Sequence, residues 1–329
     1  MHEPKIPPQA LSYEDFPDAD REVEGAFELV AEKGEMKVGC FSGIVYAERD
    51  CGENGTVPRT LQMLVPTRRE ESFDIYPFDD LNGRVTYPCI VFVQGSAWFR
   101  QEVFQSVPAL TGLAARGYIV AIVEYRESTL APFPAQIEDA KTAVRFLRAN
   151  AEKLCIDPEN IFLMGDSSGG HTAVMAGITG DAWPNAADDL GADGAPRVSC
   201  AVRAVIDLYG PTDITKMCEA PSIQDHTVPE SPEGMLIGGK NVLESPEAER
   251  TIVMNYIDEE KTVPPILMMH GTKDRLVPFD QGVRLYEKLR ACGKDVTFWK
   301  VKGADHADPA FYDARAYDIM GEFLQKHMD

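Results

Sequence analysis

Four apolar runs of strand length, PCIVFVQG, YIVAIVEY, NIFLMGDS and AVRAVIDLYG, alternate with segments of helical periodicity, and this alternation constrains the chain more than any other feature. A run that is apolar on both faces must be buried on both, so the four read as parallel strands with crossover helices covering both faces of one sheet. In the clearest helix Ile137, Ala140, Val144, Leu147 and Ala151 recur at spacings of three and four, which gives one stripe to lie on the sheet. Gly117 ends the helix before YIVAIVEY. Upstream, FSGIVYAE and RTLQMLVP are short, β-branched or alternating runs bounded by Gly, Asn and Pro, and they predict an antiparallel pair at a sheet edge. Downstream, PPILMMHG, a helix over residues 283–289, VTFWKVKG and a helix after Pro309 extend the pattern to an α/β architecture with a mostly parallel, eight-stranded sheet.

Two segments fall outside this alternation. Residues 1–36 are acidic and Pro-containing, with one short helical stretch over residues 23–29, and read as a surface extension. Residues 211–263 are Pro-rich and irregular, and a loop of that length inside a compact domain is usually functional. The expectation is a small cap-like insertion within one catalytic domain spanning residues 37–329. A surface excursion without function is the bland alternative.

The formal net charge of −21 opposes nucleic-acid binding, which needs Lys and Arg to displace counterions. No apolar run approaches the roughly 18 residues that span a bilayer, so no membrane partner is expected. The opening MHEPKIPPQALSYEDFPDAD has neither a basic start nor an apolar signal core, which predicts a cytoplasmic protein. Seven scattered cysteines without CxxC spacing read as reduced thiols, and neither a metal nor another cofactor is expected.

The chemistry concentrates at Gly165-Asp166-Ser167-Ser168-Gly169, which follows the apolar residues 161–164 and precedes the small-residue helix GHTAVMA. Small neighbours let a backbone turn sharply from strand to helix and expose Ser167 Oγ, so Ser167 is the expected nucleophile. A serine hydroxyl needs a base, and the base needs an acid to fix its tautomer. Among six histidines, His306 follows the last strand, where the C-terminal edge of the sheet presents it to Ser167. His171 reads as a packed helix residue and His270 as structural, while His226 lies in the irregular stretch. Asp274, just beyond the strand PPILMMHG, is the expected acid, with Asp207, Asp213, Asp305 and Asp308 as rivals. The order Ser167, Asp274, His306 is one that such constellations use. An oxyanion requires backbone donors, assigned to the amides of Ser96, Ala97 and Ser168. Trp98 either lines the substrate pocket or closes the loop against the core.

With these residues in view, the chain resembles the α/β-hydrolase esterases related to hormone-sensitive lipase, and more closely the feruloyl and acetyl-xylan esterase-like group labelled BD-FAE. The likeness runs from about Thr60 to the C-terminus. It rests on Trp98, on Glu124-Tyr125-Arg126 with Phe133-Pro134-Ala135 and Asp139, on residues 165–171, on Leu236-Ile237-Gly238-Gly239, and on the Asp274 and His306 segments. It implies an α/β-hydrolase fold and hydrolysis of a small-molecule carboxylic ester with a short acyl group, such as an acetyl or feruloyl ester of a carbohydrate, through an acyl-enzyme. This sequence departs from the group at one place, with Gln94-Gly95-Ser96-Ala97-Trp98 where the group has His-Gly-Gly-Gly-Trp. Side chains at Ser96 and Ala97 narrow the space beside the scissile carbonyl. Two other readings share the scaffold: a peptidase of the prolyl-oligopeptidase type, and a binding protein on a retired hydrolase.

A histidine base works only when neutral, so kcat/KM for an ester should fall as the solution is acidified. A profile that stays flat from about pH 5 to 8 would exclude a histidine base.

Overall fold

The structure is a computed structural model that describes residues 36–67, 85–192 and 194–328, with isolated positions 15, 24, 25 and 27. Eight strands follow one another along the chain: β1 (Lys37–Asp50), β2 (Thr56–Thr67), β3 (Tyr87–Val93), β4 (Ile119–Val123), β5 (Ile156–Asp166), β6 (Val205–Leu208), β7 (Ile266–Gly271) and β8 (Val296–Val301). They form one sheet in the order β1-β2-β4-β3-β5-β6-β7-β8. β2 is antiparallel to both its neighbours and the pairings from β4 onward are parallel, so β2 is the reversed strand of an otherwise parallel sheet. Every strand expected from the sequence is present, including the antiparallel pair at the edge. The expected extension over residues 1–36 and its short helix lie almost wholly outside the described residues.

Five longer helices cover the two faces: α1 (Val107–Ala114), α2 (Ala135–Ala149), α3 (Ser168–Thr179), α6 (Asp280–Ala291) and α7 (Ala314–Lys326). Alternation along β3 divides the core between them. Cys89, Val91 and Val93 join the cluster that holds Ile137 and Val144 of α2, Val174 of α3 and Leu285 of α6. Ile90 and Phe92 join the opposite cluster with Leu110 and Leu113 of α1 and Met320 of α7. The stripe read from the sequence of α2 is buried at all five positions, from Ile137 to Ala151. Gly117, three residues beyond α1, takes φ 96°, a left-handed turn that suits glycine.

Between β6 and β7, residues 211–263 contain no strand, only the short helices α4 (Pro232–Leu236) and α5 (Pro246–Glu249) and two 3-10 turns, Ile214–Glu219 and Val253–Tyr256. No helix among the described residues is long and apolar enough to cross a membrane.

The strand-to-helix turn from β5 into α3 fits only because glycines stand where backbones touch. A Cβ on Gly165 would run into the Gly169 carbonyl, and one on Gly169 would run into the Val93 carbonyl and stand 2.8 Å from the Gln94 carbonyl carbon. Backbone atoms cannot swing aside as a flexible side chain can. Gly169→Ala should therefore destabilise the protein by at least about 3 kcal/mol, read from the urea midpoint of unfolding. An unchanged midpoint would mean that the turn is looser than these contacts imply.

Candidate active site

Ser167 stands at the junction of β5 and α3 with φ 51° and ψ −126°. A non-glycine residue at positive φ is strained and persists only where its surroundings hold it. Here the Ser167 amide donates to the Leu208 carbonyl at 2.8 Å, and its carbonyl accepts from the His171 amide at 3.2 Å. The loop after β3 closes on the same turn. Gly95 approaches so nearly that a Cβ there would stand 2.6 Å from the Asp166 carbonyl oxygen and 2.9 Å from Ser167 Cβ. The Gly95 amide donates to Asp166 Oδ1 at 2.6 Å, and Tyr209 Oη donates to Oδ2 at 3.3 Å. Burial raises the Asp166 carboxyl above its ordinary value, and the Gly95 amide works against that rise.

His306 arrives from the loop after β8 with both ring nitrogens engaged. Its Nε2 lies 2.9 Å from Ser167 Oγ, and its Nδ1 lies 2.8 Å from Asp274 Oδ2. The edge of the Tyr209 ring packs against the imidazole, with centroids 4.9 Å apart. Asp274 is itself fixed, because its Oδ1 accepts the Leu276 and Val277 amides at 2.9 and 2.8 Å. His270 is the second imidazole near it: Nε2 lies 3.0 Å from the Val277 carbonyl and 3.5 Å from Asp274 Oδ2. Burial by itself would raise the Asp274 carboxyl, but hydrogen bonding to His270 and His306 outweighs it and holds the group well below the usual carboxylate range. An anion at this place favours the Nδ1–H tautomer of His306 and leaves Nε2 to accept a proton.

The rival carboxylates have other tasks. Asp207 accepts the Gly210 amide at 3.0 Å, and its burial pushes its carboxyl up to about 6. Asp213 caps the 3-10 turn Ile214–Glu219 through the Thr215 amide, and Asp308 caps Pro309–Tyr312 through the Ala310 amide. Asp305 pairs with Arg275 and accepts the His306 backbone amide at 2.8 Å, so it steadies the loop and leaves the ring to Asp274.

The three expected oxyanion donors divide. The Ser96 amide donates to Ser168 Oγ at 2.9 Å, and Ser96 Oγ lies 2.9 Å from Tyr125 Oη, which donates to the Gln94 carbonyl at 3.0 Å. With Ser96 so engaged, it leaves the set, and the amides of Ala97 and Ser168 remain without an acceptor among the described residues. Ala97 and Trp98 both adopt φ 56°, so the loop reverses with side chains where glycine is the easier residue. Gln94, in the place of the group's histidine, donates through Nε2 to the Glu102 carbonyl at 3.2 Å.

A cavity of about 40 Å³ lies beside Ser167, bordered by Ala97, Trp98 and Ser168 on one side and by Gln224, His226, Pro232 and Glu233 of the insertion on the other. Trp98 borders this cavity, is 1% exposed, and lies against His171 in a T-shaped arrangement with centroids 5.4 Å apart. Sequence reasoning missed Asp166 and Tyr209 as supports of the turn, and His226 and Glu233 as cavity walls. Asp166 was within reach, since it occupies a motif position. His226 and Glu233 lie in a stretch without periodicity, and only the fold brings them near Ser167.

The fold is that of an α/β-hydrolase. The sequence pattern of the BD-FAE family matches residues 73–289, and the chain belongs to that family. It is similar to the esterase LipC of Mycobacterium tuberculosis, 30% identical over 236 residues, which cover 67% of this chain and 52% of that protein. It is also similar to the isoprenylcysteine alpha-carbonyl methylesterase ICME of Arabidopsis thaliana, 25% identical over 67% of this chain and 50% of that one. The chain thus spans about half the length of the curated relatives it matches. Among solved structures, a truncated carbohydrate esterase from gut microbiota superposes with a TM-score of 0.72 at 29% identity, over 90% of this chain and 98% of that one.

His171, read from the sequence as a packed helix residue, is one: it is 1% exposed and its Nε2 lies 2.9 Å from the Thr251 carbonyl. Burial lowers its pKa to about 4, with the Thr251 contact opposing the fall. The unfolded chain takes up this proton near pH 6.5 and the folded one only near 4, so the stability is full above about 6.5 and declines as pH falls toward 4. Between pH 7 and 5 the wild type should lose on the order of 2 kcal/mol more unfolding free energy than His171→Gln. Equal losses in denaturant titrations at the two pH values would show that His171 is charged in the folded protein.

Proposed function

We propose that the chain is a serine carboxylic ester hydrolase in which Ser167 is the nucleophile, His306 the general base and acid, and Asp274 the residue that orients and stabilises the imidazolium. The observation that carries this reading is the unbroken hydrogen-bonded series from Asp274 through His306 to Ser167 Oγ, at 2.8 and 2.9 Å. Ser167 Oγ attacks the ester carbonyl as its proton passes to His306 Nε2. Negative charge gathers on the carbonyl oxygen, where the Ala97 and Ser168 amides donate; Ser168 adds the positive end of the α3 dipole. Loss of one such donor typically raises the barrier by about 3 kcal/mol. The tetrahedral intermediate collapses, His306 returns the proton to the departing alkoxide, and the alcohol leaves an acyl-Ser167. Water then attacks with its proton going to His306, and the second intermediate releases the acid and restores Ser167.

A short acyl group fits the small cavity beside Ser167, which the Ala97 side chain and the Trp98 ring border. Carbohydrate esters such as acetates are the favoured class, supported by the likeness to the gut-microbiota carbohydrate esterase. Residues 211–263 serve as the cap, since five of them line that cavity. Cys40, Cys51, Cys89, Cys200, Cys218 and Cys292 carry free thiols, in keeping with the reducing interior of a cell.

Ser167→Ala should lower kcat/KM for p-nitrophenyl acetate by at least about 10⁴-fold, and Asp274→Asn by about 10³-fold or more. Equal rates for wild type and Ser167→Ala would remove the assignment. An aminoacyl-proline reporter should remain uncleaved by the wild type.

A further inference from the structure

We propose, on the footing of ester hydrolysis at Ser167, that Glu233 is the acceptor for a free hydroxyl group on the alcohol half of the ester, so that the site selects partly acylated polyols such as sugars. Glu233 is the second residue of α4, which begins at a cap made by Ser231 Oγ accepting the Gly234 amide at 3.0 Å. Close packing pins this turn: a Cβ on Gly234 would run into the Val228 carbonyl and stand 2.6 Å from the Pro229 carbonyl oxygen. The carboxylate is thereby carried inward, 3% exposed, to the wall of the cavity beside Ser167.

Its two oxygens are treated differently. Oε1 lies 2.9 Å from His226 Nδ1, and His226 Nε2 lies 3.1 Å from the Leu276 carbonyl and 2.8 Å from Ser222 Oγ. These contacts tie the imidazole to the Leu276 loop and fix the direction in which it holds Oε1. Oε2 has no partner among the described residues, although it is buried. Buried carboxylate oxygens are almost always partnered, because an unmatched one loses its hydration without return.

Glu233, oriented through one oxygen by a histidine and left unpaired at the other, stands on the wall of the cavity, where a molecule that enters can offer it a donor. An acetyl group carries no donor, so the hydrogen bond must come from the alcohol. A site that buries an acceptor also rejects an analogue that lacks the matching hydroxyl, because the acceptor is then left unpaired.

The test compares two substrates on each enzyme preparation: a monoacetylated methyl xyloside with its remaining hydroxyls free, and the same acetate with those hydroxyls O-methylated. In the wild type the free-hydroxyl substrate should have a kcat/KM at least about tenfold higher. In Glu233→Ala and in the isosteric Glu233→Gln that ratio should fall to within about threefold of unity. Because both rates come from one preparation, the ratio does not depend on how much of a variant has folded. A wild-type ratio near one, or a ratio unchanged in both variants, overturns the proposal. Turnover of p-nitrophenyl acetate with neither xyloside hydrolysed overturns it while leaving ester hydrolysis standing. Absence of turnover with p-nitrophenyl acetate as well removes the ester-hydrolase reading, and this inference with it.

Discussion

Ser167 is held at φ 51° at the end of a buried strand, and the placement of everything else in the site depends on that strained residue. Strain of about 1 to 3 kcal/mol has to be carried by the surroundings. It is carried because Gly165, Gly169 and Gly95 let three backbones meet where a single Cβ would force them apart. Gly165 and Gly169 allow α3 to start against β5 and β3, and Gly95 lets the loop after β3 close over the turn. Asp166 then ties that loop to the turn through the Gly95 amide. One local constraint therefore sets both the position of Ser167 and that of the Ala97 and Ser168 amides beside it.

The second half of the site is assembled from β7 and β8, at one end of the sheet. β7 and β8 are parallel neighbours, so the loops that follow them emerge side by side and bring Asp274 and His306 together. Two backbone amides and two imidazoles surround the Asp274 carboxylate and keep it an anion despite its burial. A charge held this way needs little rearrangement when the neighbouring imidazole takes up a proton, which is the condition for electrostatic stabilisation to act on a transition state. The insertion completes the site as a wall, since its side chains close the space in front of Ser167 without belonging to the sheet.

The sheet was legible because its signals are local and repeated. Runs such as residues 89–93 are apolar at every position, and the spacing from Ile137 to Ala151 admits one helical face. Ser167, Asp274 and His306 were legible for a related reason, since each follows a strand and parallel strands end at one edge. What escaped was decided by contacts between distant residues. The Ser96 amide was expected to face an oxyanion, yet the Ser168 hydroxyl captures it, a competition that no motif reports. His226 and Glu233 meet because a five-residue helix turns back toward the sheet in a segment with no hydrophobic period. Periodicity speaks for elements packed on the sheet, and is silent about the irregular chain that covers it.

The most direct measurement of the central claim is covalent labelling of the native protein with a fluorophosphonate, followed by peptide mapping. Only a serine activated by a base and facing an oxyanion site reacts quickly with such a reagent. The hydrogen-bonded series from Asp274 to Ser167 predicts a single adduct, on Ser167, that is lost when the protein is unfolded and strongly slowed in His306→Ala. An adduct on another residue, or labelling of Ser167 that is equally fast without His306, would contradict the account.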